Sequence, residues 1–383
     1  MRRNPDINNV LILGGHIQAV GLLRQTLGLP VTICVRDKWA IARFSKYTGK
    51  TIIADTDDKI KDTLKVLADK NTLLVPTSDD YIEIISGDYE WFNDNYTLLL
   101  PSKDVAGIFQ NKRLAYSFCE RNGISQPLSY CPDTLDDVKS IAASIAYPVV
   151  LKPAVMYDFH SQFGKKAFLC RDAEQLIERV GTIAAAGYAI DRLLIQEFLS
   201  GGPQNLYSVG VFAIDGEINA SITANRIRQN PIDFGNSTTF AVTCQIHDIE
   251  QAAQKIIAAT HYSGLAEVEF MYDSGANVYK FLEINTRSWK WHTLSLTQGF
   301  GFMSEVIRWH KSLPSEYDKE NYVKAGWVER LTDYAVIIKN RLCMKDVINS
   351  YKLKKCSALL SADDPLPAIM YIIMSPVLYL KRY

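Results

Sequence analysis

Short apolar runs alternate with amphipathic stretches along the first hundred residues. Val10–Leu13, Val31–Val35, Thr51–Ala54 and Leu73–Pro76 are apolar runs of strand length, each set between polar residues. Gln18–Leu27 and Asp57–Ala68 lie between them and carry the three-to-four-residue apolar spacing of helices. Strands alternating with helices predict a parallel α/β sheet, closed by Thr97–Leu100 near Pro101.

The pattern then changes. Asn111 to Gly123 predicts a helix with Asn111 as N-cap and Gly123 just past its end. Tyr147–Lys152 is a strand, with Gly164–Cys170 as its hairpin partner, and Asp172 caps a helix to about Ala186. Leu193–Gln196 is a short apolar strand. Tyr207–Ile214, Glu217–Thr223 and Phe240–Cys244 have the alternation of antiparallel strands, with Asp215-Gly216 as a hairpin turn. Asp248 caps a helix to about His261. Ala266–Tyr272 and Val278–Ile284 are the last clear strands, joined by turn residues Asp273–Asn277.

That last hairpin carries the chemistry. A five-residue loop is expected to set Glu269 opposite Glu283, with Asn285 on the same face because strand side chains alternate. Two carboxylates and a carboxamide oxygen suit a hard cation that also keeps water and phosphate ligands. Glu267 lies on this face too, and three crowded like charges destabilise a sheet unless a cation intervenes. Arg287 extends the face with a fork suited to phosphate or carboxylate. A solvated charged face is the plain alternative.

Composition narrows the setting. A 383-residue chain with 48% hydrophobic and 22% charged residues predicts two or three compact units with ample core. Lys+Arg and Asp+Glu are both 42, so no global field draws the chain to nucleic acid. The 7 cysteines have no CxxC spacing, so neither a zinc site nor a disulfide framework is indicated. Reduced thiols fit a cytoplasmic setting. No apolar run is long enough to span a bilayer.

Two lysines stand at suggestive places. Lys112 follows a helix N-cap, where a cation opposes the dipole unless a bound phosphate reverses the sign. Lys152 closes the apolar strand VVLKP, which on its own is a common place for a snorkelling surface lysine. Arg226 and Arg228, two apart on an extended segment, are expected on one side; a solvated basic edge is the alternative. Gly14-Gly15-His16 resembles a phosphate turn but lacks a full GxGxxG.

Glu269 in VEF, then Glu283, Asn285 and Arg287 in EINTR, resemble the metal-binding hairpin of the ATP-grasp superfamily. The stretch NRIRQNP is similar to the RKxRQxP pattern of a carboxylate–amine ligase branch that includes D-aspartate ligase-like proteins. The resemblance covers roughly residues 1–310 and is strongest over 147–292. It implies an α/β chain in which a Rossmann-like parallel-sheet domain precedes two α+β subdomains that sandwich ATP. The boundaries it implies are 1–105 for the first domain, 106–312 for the ATP-grasp domain with a lid at about 147–196, and a C-terminal extension over 313–383.

The resemblance also assigns roles. Glu269, Glu283 and Asn285 would hold Mg2+ or Mn2+. Lys112, Lys152 and, in a loop without the usual glycine run, Lys166 in preference to Lys165 would contact the phosphates of ATP. Gln196 would face the adenine amino group, where many relatives have Glu, and backbone groups of Glu197 and Leu199 would read the adenine edge. Arg228 would stand beside the γ-phosphate, and Arg287 would bind the substrate carboxylate or an acyl phosphate. Gly14, Gly15, Asp79, Arg226 and His292 are candidates for the substrate pocket; a packed histidine is the plain reading of His292.

The expected activity is that of an ATP-dependent carboxylate–amine ligase working through an acyl phosphate and releasing ADP and phosphate. Its substrate would be an amino acid or a cell-envelope precursor. A bicarbonate-using carboxylase or carbamoyl-phosphate-type enzyme is the alternative within the fold, and a nucleotide-binding protein without turnover the alternative outside it. No Ser/His/Asp or Cys nucleophile is suggested by spacing. Small carboxylic acids and amines are the expected partners, with a homodimer left open. The tail run Ile369–Leu380, broken by Pro376, is expected to dock on the core, with weak membrane association as the alternative.

Overall fold

The computed structural model describes residues 7–155, 159–232, 235 and 237–380. The first strands are β1 (Asn9–Leu13), β2 (Val31–Val35), β3 (Lys50–Ile53), β4 (Thr72–Pro76) and β5 (Thr97–Leu98). They form a parallel sheet in the order β3-β2-β1-β4-β5, as the alternation of runs predicts. The first helix is shorter than expected and spans Ile17–Leu23. Beyond it, Gln25 Nε2 donates to the Gly21 carbonyl at 2.9 Å and Thr26 Oγ1 to the Leu23 carbonyl at 3.0 Å, so local side chains take over from helical backbone bonds. Gly14 and Gly15 have a packing cause. A Cβ on Gly14, whose φ is 117°, would stand 2.1 Å from Thr77 Oγ1, and one on Gly15 2.3 Å from Ala40 Cβ.

A smaller antiparallel sheet follows, built from β6 (Ser129–Tyr130), β7 (Val149–Pro153), β8 (Phe168–Cys170) and β9 (Leu193–Glu197) in the order β6-β9-β7-β8. Helices Leu135–Ser144 and Ala173–Ala185 cover it, packing Val138, Leu176, Val180 and Ile183 against Val149, Leu151, Leu193 and Ile195. Asp172 caps the second of these by accepting from Gln175 N. A short helix, Phe159–Phe163, separates β7 from β8, so the pair is not a simple hairpin.

The third sheet is the largest. It contains β10 (Leu206–Ile214), β11 (Glu217–Asn230), β12 (Ser237–Thr243), β13 (Gly264–Asp273), β14 (Val278–Asn285), β15 (Gly326–Val328) and β16 (Lys354–Ser357). Their order is β14-β13-β10-β11-β12-β15-β16, with only β15–β16 parallel. Strand β11 runs on to Asn230, so NRIRQNP is largely its second half and does not follow the strand. Helix His247–Ala259 has Ile246 as its N-cap, and Asp248 lies in its first turn instead of capping it. Strands β15 and β16, from the expected C-terminal extension, complete this sheet.

Trp289, Trp291 and Trp327 are fully buried in a core shared by the first and third sheets. Trp289 reaches it through Gly210 on β10, where a Cβ would stand 2.0 Å from the indole. The final helix, Leu366–Leu380, packs Ala368 and Met374 into the same core and leaves Ile369, Ile372 and Ile373 exposed. No helix among the described residues is long and apolar enough to cross a membrane. All seven cysteines are free.

Candidate active site

The β13–β14 hairpin pairs Glu269 with Glu283 and Glu267 with Asn285. The expected pairing is present, but a different route produces it. A five-residue loop with no irregularity would set Glu269 against Phe281. Asp273 instead pairs with Val278, and a bulge between Glu269 and Phe270 shifts the register by one. Asp273 Oδ1 closes the turn by accepting from Gly275 N at 2.9 Å.

Glu267, Glu269, Glu283 and Asn285 therefore share one face, and each carboxylate has a partner. Glu283 Oε2 accepts from Lys112 Nζ at 2.7 Å. Glu269 Oε2 pairs with Arg226, and its Oε1 accepts from Asn285 Nδ2 at 2.9 Å. Glu267 is turned into the core by Trp291 Nε1, 2.7 Å from its Oε1. Burial pushes the Glu269 carboxyl well above the usual range despite Arg226, with Glu267 and Glu283 adding to the rise. Lys112 holds Glu283 well below that range. Burial works most strongly against the charge of Lys112, but Glu283, Tyr116 and Glu269 together outweigh it and raise the ammonium.

This donor set fits a hard divalent cation. A carboxylate whose charge is disfavoured by its surroundings lies beside a second carboxylate and the Asn285 carboxamide, whose Nδ2 faces Glu269 and whose Oδ1 faces Arg287, so a flip of the amide would bring its oxygen to a cation. No group of three or more His, Cys, Asp or Glu that could hold a metal occurs among the described residues. The hairpin thus offers a partial shell of the kind Mg2+ completes with phosphate oxygens and water. Glu267 borders that shell, since its Oε2 accepts from Asn285 Nδ2 at 3.3 Å while Trp291 holds its Oε1.

The hairpin faces a cavity of about 480 Å3 between the second and third sheets. Val150, Leu169, Phe198, Leu199, Leu206, Met271 and Leu282 give it apolar walls, while Lys112, Lys152, Lys166, Gln196, Glu269 and Glu283 bring the polar groups. An apolar slot with a few polar groups is the usual form of a cofactor site. Asn111 caps the helix Lys112–Arg121 by accepting from Arg113 N at 2.9 Å, which aims the first turn at the cavity. Tyr116, one turn after Lys112, also reaches the site; its hydroxyl donates to the Leu282 carbonyl at 2.9 Å. The i, i+4 spacing from Lys112 was the signal that could have found it.

Lys152 Nζ donates to Gln196 Oε1 at 2.7 Å and lies 3.2 Å from the Tyr116 hydroxyl. Burial, and then Lys112, push its ammonium down to about 7. Lys166 also lines the cavity and is pushed down by burial, whereas Lys165 lies over the Phe168 ring at 5.6 Å. Gln196 is engaged at both ends of its amide, since its Nε2 donates to Ser129 Oγ at 2.8 Å. The Glu197 N–H donates to the Leu128 carbonyl at 2.9 Å, so it is not free to donate to a base, and its carboxylate accepts from Lys280. Leu199 lines the cavity.

Arg287 turns its fork to Asp79 in the first domain, at 2.8 and 2.9 Å, and touches Asn285 Oδ1 at 3.3 Å. Asp79 lies in the first turn of helix Asp79–Gly87, after β4. Two expected site residues are elsewhere. Arg228 does not stand beside the metal hairpin: a bulge between Asn225 and Arg228 breaks the two-residue period, so Arg226 meets Glu269 while Arg228 meets Asp333 at 2.8 and 2.9 Å. His292 is buried against the first helix, its Nε2 3.2 Å from the Gln18 carbonyl, and burial lowers it to about 4. It lies outside the cavity.

Residues 119–309 match the family model described as carbamoyl-phosphate synthase L chain, ATP binding domain. N5-carboxyaminoimidazole synthetase from Staphylococcus aureus superposes with a TM-score of 0.65 at 13% identity, covering 87% of this chain and 85% of that one. L-amino acid ligase from Bacillus licheniformis gives 0.60 at 16%, covering 85% and 80%. The biotin carboxylase–β,γ-ATP complex from Campylobacter jejuni gives 0.64 at 18%, covering 81% and 72%. At such identities the structural likeness speaks for the fold. It gives the chain the ATP-grasp fold, and the matched family model assigns residues 119–309 to an ATP-binding domain of that superfamily.

Proposed function

We propose that this protein is an ATP-dependent ligase that joins a carboxylate to an amine through an acyl phosphate and releases ADP and phosphate. The observation that carries the reading is the meeting of Lys112, Lys152, Glu269 and Glu283 around one apolar-walled cavity. A carboxylate is a poor electrophile because its leaving group would be oxide. Moving the γ-phosphoryl group of ATP onto it forms a P–O bond and breaks the one to ADP. Attack by the amine then forms the C–N bond and expels phosphate.

Positioning and charge neutralisation do most of the work in such a transfer. Glu269, Glu283 and Asn285 would hold Mg2+ or Mn2+, which neutralises phosphate charge when bound. Lys112 and Lys152 would contact the phosphates, with Lys166 on the wall of the same cavity. Arg228 has no part in this, since its fork is filled by Asp333. The neighbouring Arg287 and Asp79 offer a guanidinium and a carboxylate side by side. Those charges complement the carboxylate and ammonium of an amino acid, free or within a cell-envelope precursor.

The test is ADP release by purified protein against a panel of amino acids and hydroxy acids. ADP and phosphate should form only when both an acid and an amine are present; AMP and pyrophosphate would contradict the reaction. ADP formation stimulated by bicarbonate without another acid would favour a carboxylase. ATP binding that survives Glu283→Gln, in a wild type without turnover, would favour a binding protein.

A further inference from the structure

The final helix, Leu366–Leu380, is apolar on more than the face it buries. Ala368 and Met374 reach the core, and Met370, Tyr371 and Leu378 pack partly against it. On the other side Leu366, Ile369, Ile373 and Pro376 recur every three or four residues and are exposed, with Ile372 beside them. Ile372 and Ile373 are 59% and 63% exposed. None of the 15 helical residues is charged. An apolar stripe left on a surface marks a contact with something apolar.

The helix is fixed in place just before it begins. Buried Asp364 accepts from Arg24 Nε at 3.0 Å, Ser45 Oγ at 2.8 Å and Lys46 N at 3.0 Å. Arg24 Nη2 donates to the Leu359 and Asp364 carbonyls, both at 2.8 Å. Lys46 and Tyr47 pair with Asp363. These bonds set the helix against the turn Ile41–Phe44 of the first domain. The segment around that turn, residues 36–50, reads RDKWAIARFSKYTGK. Its cations are Arg36, Lys38, Arg43, Lys46 and Lys50, and its one acid is Asp37. Asp57 takes Arg36 and Asp363 takes Lys46, which leaves Lys38, Arg43 and Lys50 in excess. All three are exposed. Lys38 Nζ lies over the Trp39 ring at 5.2 Å and the Arg43 guanidinium over the Phe44 ring at 5.4 Å. Cations and aromatic rings beside an apolar helix face make the composition of a membrane interface.

Length and charge choose the occupant. A helix of 15 residues is about 22 Å long, short of the roughly 30 Å of a bilayer's hydrocarbon layer, so it can lie on a membrane but not cross it. A second copy docked about a twofold axis would bring the same excess cations toward themselves. Anionic headgroups attract those cations instead. We propose that this face docks on an anionic lipid surface, with Leu366, Ile369, Ile372 and Ile373 entering the headgroup boundary and Lys38 and Arg43 meeting the headgroup anions. The face shares no residue with the cavity between the second and third sheets, so the inference stands apart from what that cavity holds.

Flotation of the full chain with vesicles of phosphatidylcholine, with and without phosphatidylserine, tests it. The chain should float with the anionic vesicles, bind the neutral ones about tenfold more weakly, and come off as salt rises. Lys38→Gln and Arg43→Gln should each weaken anionic binding about fivefold, the value of one cation at such a surface. The double variant Ile372→Ser, Ile373→Ser should weaken it about tenfold or more through lost apolar burial. Its melting temperature should match wild type, since both side chains are exposed; if it falls, Ile369→Ser takes its place. No flotation with anionic vesicles, equal flotation with neutral ones, or a double variant that floats as well as wild type would overturn the inference. A dimer in sedimentation velocity that the double variant splits, in a chain that does not float, would overturn it in favour of a second copy.

Discussion

Lys112 Nζ and Glu283 Oε2 are 2.7 Å apart, although 171 positions separate them in the chain. On the proposed reading Lys112 would contact phosphate and Glu283 the metal, and in the structure each offsets the other's charge. Glu283→Gln should therefore act on metal dependence. The magnesium concentration needed for half-maximal MgADP binding should rise by about 10–100-fold, the range typical of disturbed metal shells. A magnesium titration of nucleotide binding measures this; an unchanged midpoint would remove Glu283 from the metal site.

Lys152 gives the site a pH signature. Its ammonium is pushed down to about 7, from an ordinary value of 10.5, by burial and by Lys112. A lysine with that value is mostly neutral above pH 7, and a bound phosphate would restore its proton. Nucleotide affinity should fall by up to about tenfold per pH unit above 7, with proton uptake on binding. Lys152→Met should abolish both effects, and titrations in buffers of different ionisation enthalpy would show it. The stability sign is opposite to the binding sign. Between about 7 and 10.5 the unfolded chain binds a proton that the folded one lacks, so this residue's penalty shrinks as pH rises through that window. A Lys152 that keeps its charge at pH 9 in the free protein would defeat both expectations.

The sequence carried the elements well and the directions of some side chains poorly. Strands β1 to β4 and the metal hairpin follow from apolar period and turn chemistry, which are local. The meeting of Glu269 with Glu283 was anticipated, yet the bulge that produces it has no sequence mark. The same kind of irregularity misled the reading of Arg228: period-two reasoning puts it beside Arg226, and a single extra residue in β11 sends it to Asp333. His292 failed for another reason. Position after the hairpin suggested a pocket, but the first helix packs over it at Gly21, where a Cβ would stand 2.6 Å from the imidazole. Partners more than a hundred residues away decide such cases.

The Arg228–Asp333 fork should also be visible in stability. Both side chains are nearly fully buried, so removing one leaves the other charge without compensation. Asp333→Ala should cost about 3–5 kcal/mol, the range for breaking a buried pair from one side. Urea unfolding followed by far-UV circular dichroism gives the number. A loss below about 1 kcal/mol would mean that water reaches the guanidinium and relieves it.

The Asp79–Arg287 fork should behave differently, because its carboxylate is open to solvent. The side chain of Asp79 is 68% exposed and that of Arg287 16%. An exposed pair adds only about 0–1 kcal/mol, so Asp79→Ala should hardly change the melting temperature. Its effect should fall on the acceptor substrate. If Asp79 takes the ammonium of an amino acid while Arg287 takes the carboxylate, the variant loses one charged hydrogen bond, about 1.5–3 kcal/mol, and KM for the acceptor rises by roughly ten- to a hundredfold. KM for ATP should stay constant, since the nucleotide cavity does not include Asp79. Asp79→Asn keeps the shape but not the charge and should resemble the alanine variant for a zwitterionic acceptor. An equal rise in both KM values would mean that Asp79 acts by holding the first domain in place. No rise in either would leave Arg287 without a partner role for the first domain in substrate recognition.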